Sequence, residues 1–158
     1  MREELINECK SIEENCTYTA ETHHTIANSE RRKYQLLQIG PAIISVVTGG
    51  SVSLGFAPAF VGWLTLVSGV VAAISGILNP SKNSEEQLAA AKQFTTLKQD
   101  ARALGKSFSK GMSDDEFSVE VRKLHDRYNE LVLAVPATND KAFEKAREKV
   151  KKGVHEPD

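Results

Sequence analysis

The sequence predicts an all-α membrane protein: a two-helix transmembrane hairpin, with helices on one side of it forming an antiparallel coiled-coil-like bundle. Three observations lead there. All 20 basic and 21 acidic residues of the 158-residue chain lie outside the stretch from Tyr34 to Ser81, which holds no Asp, Glu, Lys, Arg or His. A soluble helix needs a polar face for water, so a charge-free stretch of this length reads as membrane. Outside it, apolar residues recur in a 4-3 pattern in three separate segments, and no segment alternates with the period of a strand. The whole-chain averages, a net charge of −1 and a mean hydropathy of −0.31, conceal this segregation.

Residues 1–33 read as a charged cytosolic helix and not a cleaved leader, because no short apolar core precedes a small-residue cleavage site. Its seam, Leu5, Cys9, Ile12, Cys16, Thr19, His23 and Ile26, is weakly apolar, and packing on the other cytosolic helices or on another subunit is expected. The hairpin occupies residues 34–81. A bilayer core of roughly 30 Å needs about 20 apolar residues per helix, and residues 34–54 and 59–78 supply two such spans. Pro41 falls one or two turns into the first span and should kink it. Gly55-Phe56-Ala57-Pro58 has turn formers for the connector, Asn79-Pro80 stops the second span, and Tyr34 and Trp63 suit the interfaces. Arg31, Arg32 and Lys33 abut the first span and Lys82 follows the second, while the connector is uncharged. By the positive-inside rule both termini face the cytoplasm.

Residues 82–158 form the C-terminal cytosolic region. A helix is expected from Ser84 to Lys110, opened by a capping-box pattern Ser84…Gln87, with a seam of Ala90, Phe94, Leu97, Ala101, Leu104 and Phe108. Gly111-Met112 breaks it. Ser113…Glu116 opens the next helix, whose seam is Phe117, Val121, Leu124, Tyr128, Leu131 and Val135, ended by Pro136. Two such seams across a short joint predict an antiparallel hairpin. A last helix, about Asp140 to Lys152, presents Phe143, Ala146 and Val150 and stops at Gly153.

Little here suggests chemistry. Cys9, Cys16 and His23 are spaced by seven, a rise of about 10 Å per step, too far to share a metal within one helix. Asp114-Asp115-Glu116 fits helix capping. The basic run Lys145, Arg147, Lys149, Lys151 and Lys152 is interrupted by Glu144 and Glu148 and reads as a solvated face. No catalytic, cofactor-binding or metal-binding residues are expected, and neither enzymatic activity nor direct nucleic-acid binding. The informative pattern lies in the hairpin. Gly62, Gly69 and Gly76 recur every seven residues, each followed three later by Thr65, Ala72 and Asn79, opposite Trp63, Leu66, Val67, Val70, Ile74 and Ile77. The first span offers Ser45, Gly49 and Ser53 at steps of four, with Thr48 and Ser51 nearby. Small residues let membrane helices approach closely. Two readings stay open: the spans pack on each other within one chain, or the surplus serves homo-oligomerisation around a narrow path.

The layout resembles the SLATT domain family. The resemblance is carried by the charged helix ending in Arg31-Arg32-Lys33-Tyr34-Gln35-Leu36-Leu37-Gln38, two closely spaced spans, and cytosolic helices with Arg127-Tyr128-Asn129-Glu130-Leu131…Pro136. It implies a bacterial inner-membrane effector of antiphage defence, an oligomeric pore or membrane-perturbing protein that arrests growth or aborts infection. It also implies activation by a separately encoded sensor: a nucleotide cyclase or its product, or a reverse transcriptase. Two alternatives compete, a membrane-anchored coiled-coil scaffold without a pore and a holin-like lysis protein.

Overall fold

The computed structural model describes residues 1–53, 58–78 and 80–153. Among these every regular element is helical: α1 Arg2–Ser53, α2 Pro58–Leu78, α3 Pro80–Lys106, a 3-10 turn Phe108–Gly111, α4 Asp114–Ala134 and α5 Asp140–Lys151. The all-α expectation holds. The chain divides into two compact units, one of Met1–Ala27 with the residues from Glu86 onward, the other Asn28–Glu85.

In the first unit, three helices share one core. Cys9, Ile12, Cys16 and Ala20 of α1 meet Phe94, Leu97, Ala101 and Leu104 of α3 and Phe117, Val121 and Leu124 of α4. Leu5, Tyr128, Leu131 and Val135 pack at its margin. Residues of the α3 and α4 seams therefore share one core, and the N-terminal helix is its third member. Its small residues make this possible. A Cβ added at Gly105 would lie 3.0 Å from the Cβ of Cys9, so α1 and α3 nearly touch there. Phe94, Leu97 and Phe117 are fully buried, each worth about 1.5–3 kcal/mol of apolar transfer.

The corner after α3 departs from expectation. The helix ends at Lys106 and tightens into the 3-10 turn, so the 4-3 count no longer applies at Phe108, which is 59% exposed while Ser109 turns inward. Arg2 stitches this corner to α1. Its guanidinium pairs with Asp114, donates to the carbonyls of Ser109 and Met112, and lies 5.6 Å from the Phe117 ring centroid. The Ser113–Glu116 capping box forms as expected, and bonding to Ser113 lowers the pKa of Glu116. The Ser84…Gln87 box does not mark a helix start. The helix begins at Pro80, whose fixed φ suits a first turn, and Ser84 lies inside it.

α5 is capped by the Asn139 side chain, which accepts from the Ala142 amide, and ends at Gly153 with φ 74°. It lies against α1, with Phe143 6.4 Å from Tyr18 and the Lys149 Nζ 2.7 Å from Glu21 Oε1. The buried residues are Ala142 and Ala146; Phe143, expected to face inward, is 43% exposed. Small residues bring the helix close and leave the large ring at its edge.

The second unit holds α1 from Asn28, α2 and the first turns of α3. Pro41 lies inside α1 without ending it. Half-buried positions recur on α1 at Tyr34, Leu37, Pro41, Ile44 and Thr48, and on α2 at Val61, Leu64, Ser68 and Val71. These two 4-3 stripes form the hairpin contact, and the Ser68 hydroxyl reaches the Pro41 carbonyl at 3.4 Å. The expected connector, Gly55 to Ala57, lies outside the described residues, and Pro58 is the first residue of α2. Among the described residues no helix is long and apolar enough to cross a membrane. The side chains of residues 51–57, 75 and 78–80 are outside that description and fall at the ends of, or within, both expected spans.

Candidate functional site

The hairpin carries three distinct surfaces, and the sequence pattern assigns residues to each. The first is apolar and exposed. Trp63 is 70% and Ile77 83% exposed, with Leu66, Val67, Val70 and Ile74 on the same side of α2, and Leu36, Ile39, Ile43 and Val46 are exposed on α1. Water would exact roughly 25 cal/mol for each Å² of such surface, so a patch of this extent marks contact with lipid or protein.

The second surface is the small-residue seam. Gly62, Gly69 and Gly76 are exposed, and a Cβ added to any of them meets nothing within 4 Å; the same is true of Gly49. Thr65, Ala72 and Ser45 are exposed too. The two helices of one chain therefore pack through Val61, Leu64, Ser68 and Val71, and the glycines lie to one side of that contact. Asn79 and Ser53 fall outside the described side chains.

The third surface is a cleft of about 370 Å³ between α1 and α2, lined by Ile44, Ser45, Thr48, Thr65, Ser68 and Gly69. Sequence reasoning singled out four of these six residues in the hairpin, and it missed Ser68 and Ile44. Each hydroxyl donates to a backbone carbonyl: Ser45 to Pro41 at 2.8 Å, Thr48 to Ile44 at 2.7 Å, Thr65 to Val61 at 3.0 Å and Ser68 to Pro41 at 3.4 Å. Three of these bonds are the i−4 bonds that let Ser and Thr sit in an apolar helix. Ser45, Thr65 and Gly69 belong to both the seam and the cleft. Of the flanking charges, Lys33 pairs with Glu30 at 2.5 Å, and Arg31, Arg32 and Lys82 are exposed.

The bundle's reactive groups are used for packing. Burial pushes the Cys16 thiol up to about 12, opposed by Lys98, and raises that of Cys9. Thiols held protonated in this way are poor nucleophiles. His23 is fully buried, stacked on Phe94 with ring centroids 5.8 Å apart, and its Nδ1 lies 2.6 Å from Gln87 Oε1. Its partner is an amide, and its Nε2 has none among the described residues. Burial lowers its pKa against the opposing Gln87 bond. Among the described residues no three His, Cys, Asp or Glu side chains gather as a metal site. Sequence reasoning missed the His23–Gln87 contact, the bonds of Arg2 and the Glu21–Lys149 pair, which join positions 64 to 128 apart.

A family model described as SMODS and SLOG-associating 2TM effector domain family 4 matches residues 3–155. No curated protein and no solved structure matches the chain.

Proposed function

We propose, since the chain belongs to the SMODS and SLOG-associating 2TM effector domain family 4, that it is the membrane-permeabilising arm of a bacterial defence system. Membership implies a role in bacterial conflict systems, in which these domains associate with SMODS-type sensor systems. The finer reading is ours. Residues 34–54 and 59–78 span the inner membrane as a hairpin, with both termini in the cytoplasm. Copies meet through the seam of Gly62, Thr65, Gly69, Ala72, Gly76 and Asn79, facing Ser45, Gly49 and Ser53. A separately encoded sensor, a nucleotide cyclase acting through its product or a reverse transcriptase, triggers the assembly to open, and the cell stops growing or dies before the phage matures.

One observation carries this reading. The uncharged α2 is 21 residues long, about 31 Å at 1.5 Å per residue, and exposes both a wide apolar face and a line of glycines at which an added Cβ would meet nothing within 4 Å among the described residues. Glycine in a helix costs about 1 kcal/mol relative to alanine, so three at one phase favour a close-packed partner. The sequence from Ala59 to Leu78 supplies the roughly 20 uncharged residues that a bilayer core needs.

The test expresses the chain with its neighbouring sensor and challenges the cells with phage. Wild type and Val70→Leu should admit a membrane-impermeant dye and arrest growth, and Gly69→Leu should do neither while remaining in the membrane fraction. A chain that does not sediment with membranes refutes the reading outright. A membrane-bound wild type that arrests growth without dye entry favours the scaffold instead.

A further inference from the structure

The hydroxyls of the hairpin bear on what passes through it, and this step rests on the pore reading above. We infer that the cleft of Ser45, Thr48, Thr65 and Ser68 lines a path for monovalent cations. A hydroxyl has one proton and two lone pairs. All four commit that proton to a backbone carbonyl, so each turns only lone pairs outward. The remaining lining residues, Ile44 and Gly69, add no side-chain donor, and helix-interior amides are already engaged in i−4 bonds.

The cleft is therefore one-sided in its chemistry. An anion entering it would surrender hydration to a wall without donors, a cost of the kind paid by any buried group left unbonded. A cation meets four oxygen acceptors. Divalent ions hold water tightly and are bound through carboxylates, which the hairpin lacks from Tyr34 to Ser81. Neutral oxygens suit an ion that must bind weakly enough to leave, and the cleft has room for several waters beside it. Its position fits as well. Thr65 and Gly69 border the glycine seam, whereas Trp63, Leu66 and Val70 lie on the other side of α2. Assembly through the seam keeps the hydroxyls at the inter-copy boundary and away from lipid.

The test reconstitutes the full chain in planar bilayers under a KCl gradient and reads the reversal potential. The expected reversal lies towards the potassium potential, with calcium carrying less current than potassium. Thr48→Val combined with Ser68→Ala removes two acceptors and should cut potassium current about tenfold, the effect of roughly 1.4 kcal/mol. Thr48→Ser retains the oxygen and should conduct like wild type, and Thr95→Val, a hydroxyl with the same i−4 bond in the bundle, should change nothing. Reversal towards the chloride potential, or full current in the double variant, overturns the cation path and leaves the pore standing. A wild type that inserts and passes no current overturns both.

Discussion

Replacing Leu97 with alanine should open the bundle in a way its own cysteines report. Leu97 is fully buried among Cys16, Phe94 and Phe117 in a core drawn from three helices. Leu→Ala at such sites costs about 2–5 kcal/mol, the spread depending on how far the cavity collapses. The bundle offers little relief, because α1 and α3 are already in contact at Cys9 and Gly105. A value near 3 kcal/mol multiplies the open population by about 150. Cys16 has no exposed surface, and its thiol titrates at about 12. A thiol reagent therefore reacts only after the bundle opens. In mild detergent at neutral pH, wild-type labelling should be slow, and Leu97→Ala should accelerate it by two orders of magnitude. Lys92→Asp, at an exposed position, should leave the rate unchanged. Wild-type labelling at the rate of a free thiol, or equal rates in all three proteins, would refute the three-helix core.

Other consequences are separate from this one. His23 favours its neutral form in the folded bundle, since burial lowers its pKa from 6.5. Stability should be flat above that value and fall as the pH drops below it, where the unfolded chain takes up a proton that the folded one resists; His23→Phe should flatten this part of a Tm-against-pH curve. Lys149→Met removes one partner of the buried Glu21 carboxylate and should loosen α5 by about 1–2 kcal/mol, read as faster proteolysis between residues 135 and 139. For topology, Ala57→Cys in a Cys9→Ala, Cys16→Ala background should react with an impermeant maleimide from the periplasm, and Glu3→Cys should react only after lysis. Labelling of Glu3→Cys in intact cells would invert the orientation.

What could be read from the sequence was local. The Ser113…Glu116 box, the α3 and α4 seams and Gly153 as a C-cap all depend on residues within a turn or two of each other, and all appear in the structure. Errors arose where a local rule met a boundary it could not see. Ser84…Gln87 fits a capping box, yet the same spacing occurs inside any helix, and Pro80 had already started this one. Phe108 continues the α3 seam on paper, but the helix stops two residues before it. The 3-4 spacing of Phe143, Ala146 and Val150 suggested a buried face, whereas Ala142 and Ala146 allow the closer approach. The Arg2 corner and the Glu21–Lys149 pair join distant positions and leave no periodic trace. The seam of the hairpin was visible as a pattern, and the structure adds that a Cβ at Gly62, Gly69 or Gly76 would meet nothing within 4 Å among the described residues.

The proposed function requires that copies of this chain meet in the membrane along that seam. Its most direct test is oxidative cross-linking in isolated inner membranes, with Gly69→Cys or Val70→Cys placed in the Cys9→Ala, Cys16→Ala background. A Cβ added at Gly69 would meet nothing within 4 Å among the described residues, and Val70, the next residue round the helix, belongs to the exposed apolar face. Gly69→Cys should give a disulfide-linked dimer and Val70→Cys none. A dimer from Val70→Cys alone, or monomer from both, would contradict it.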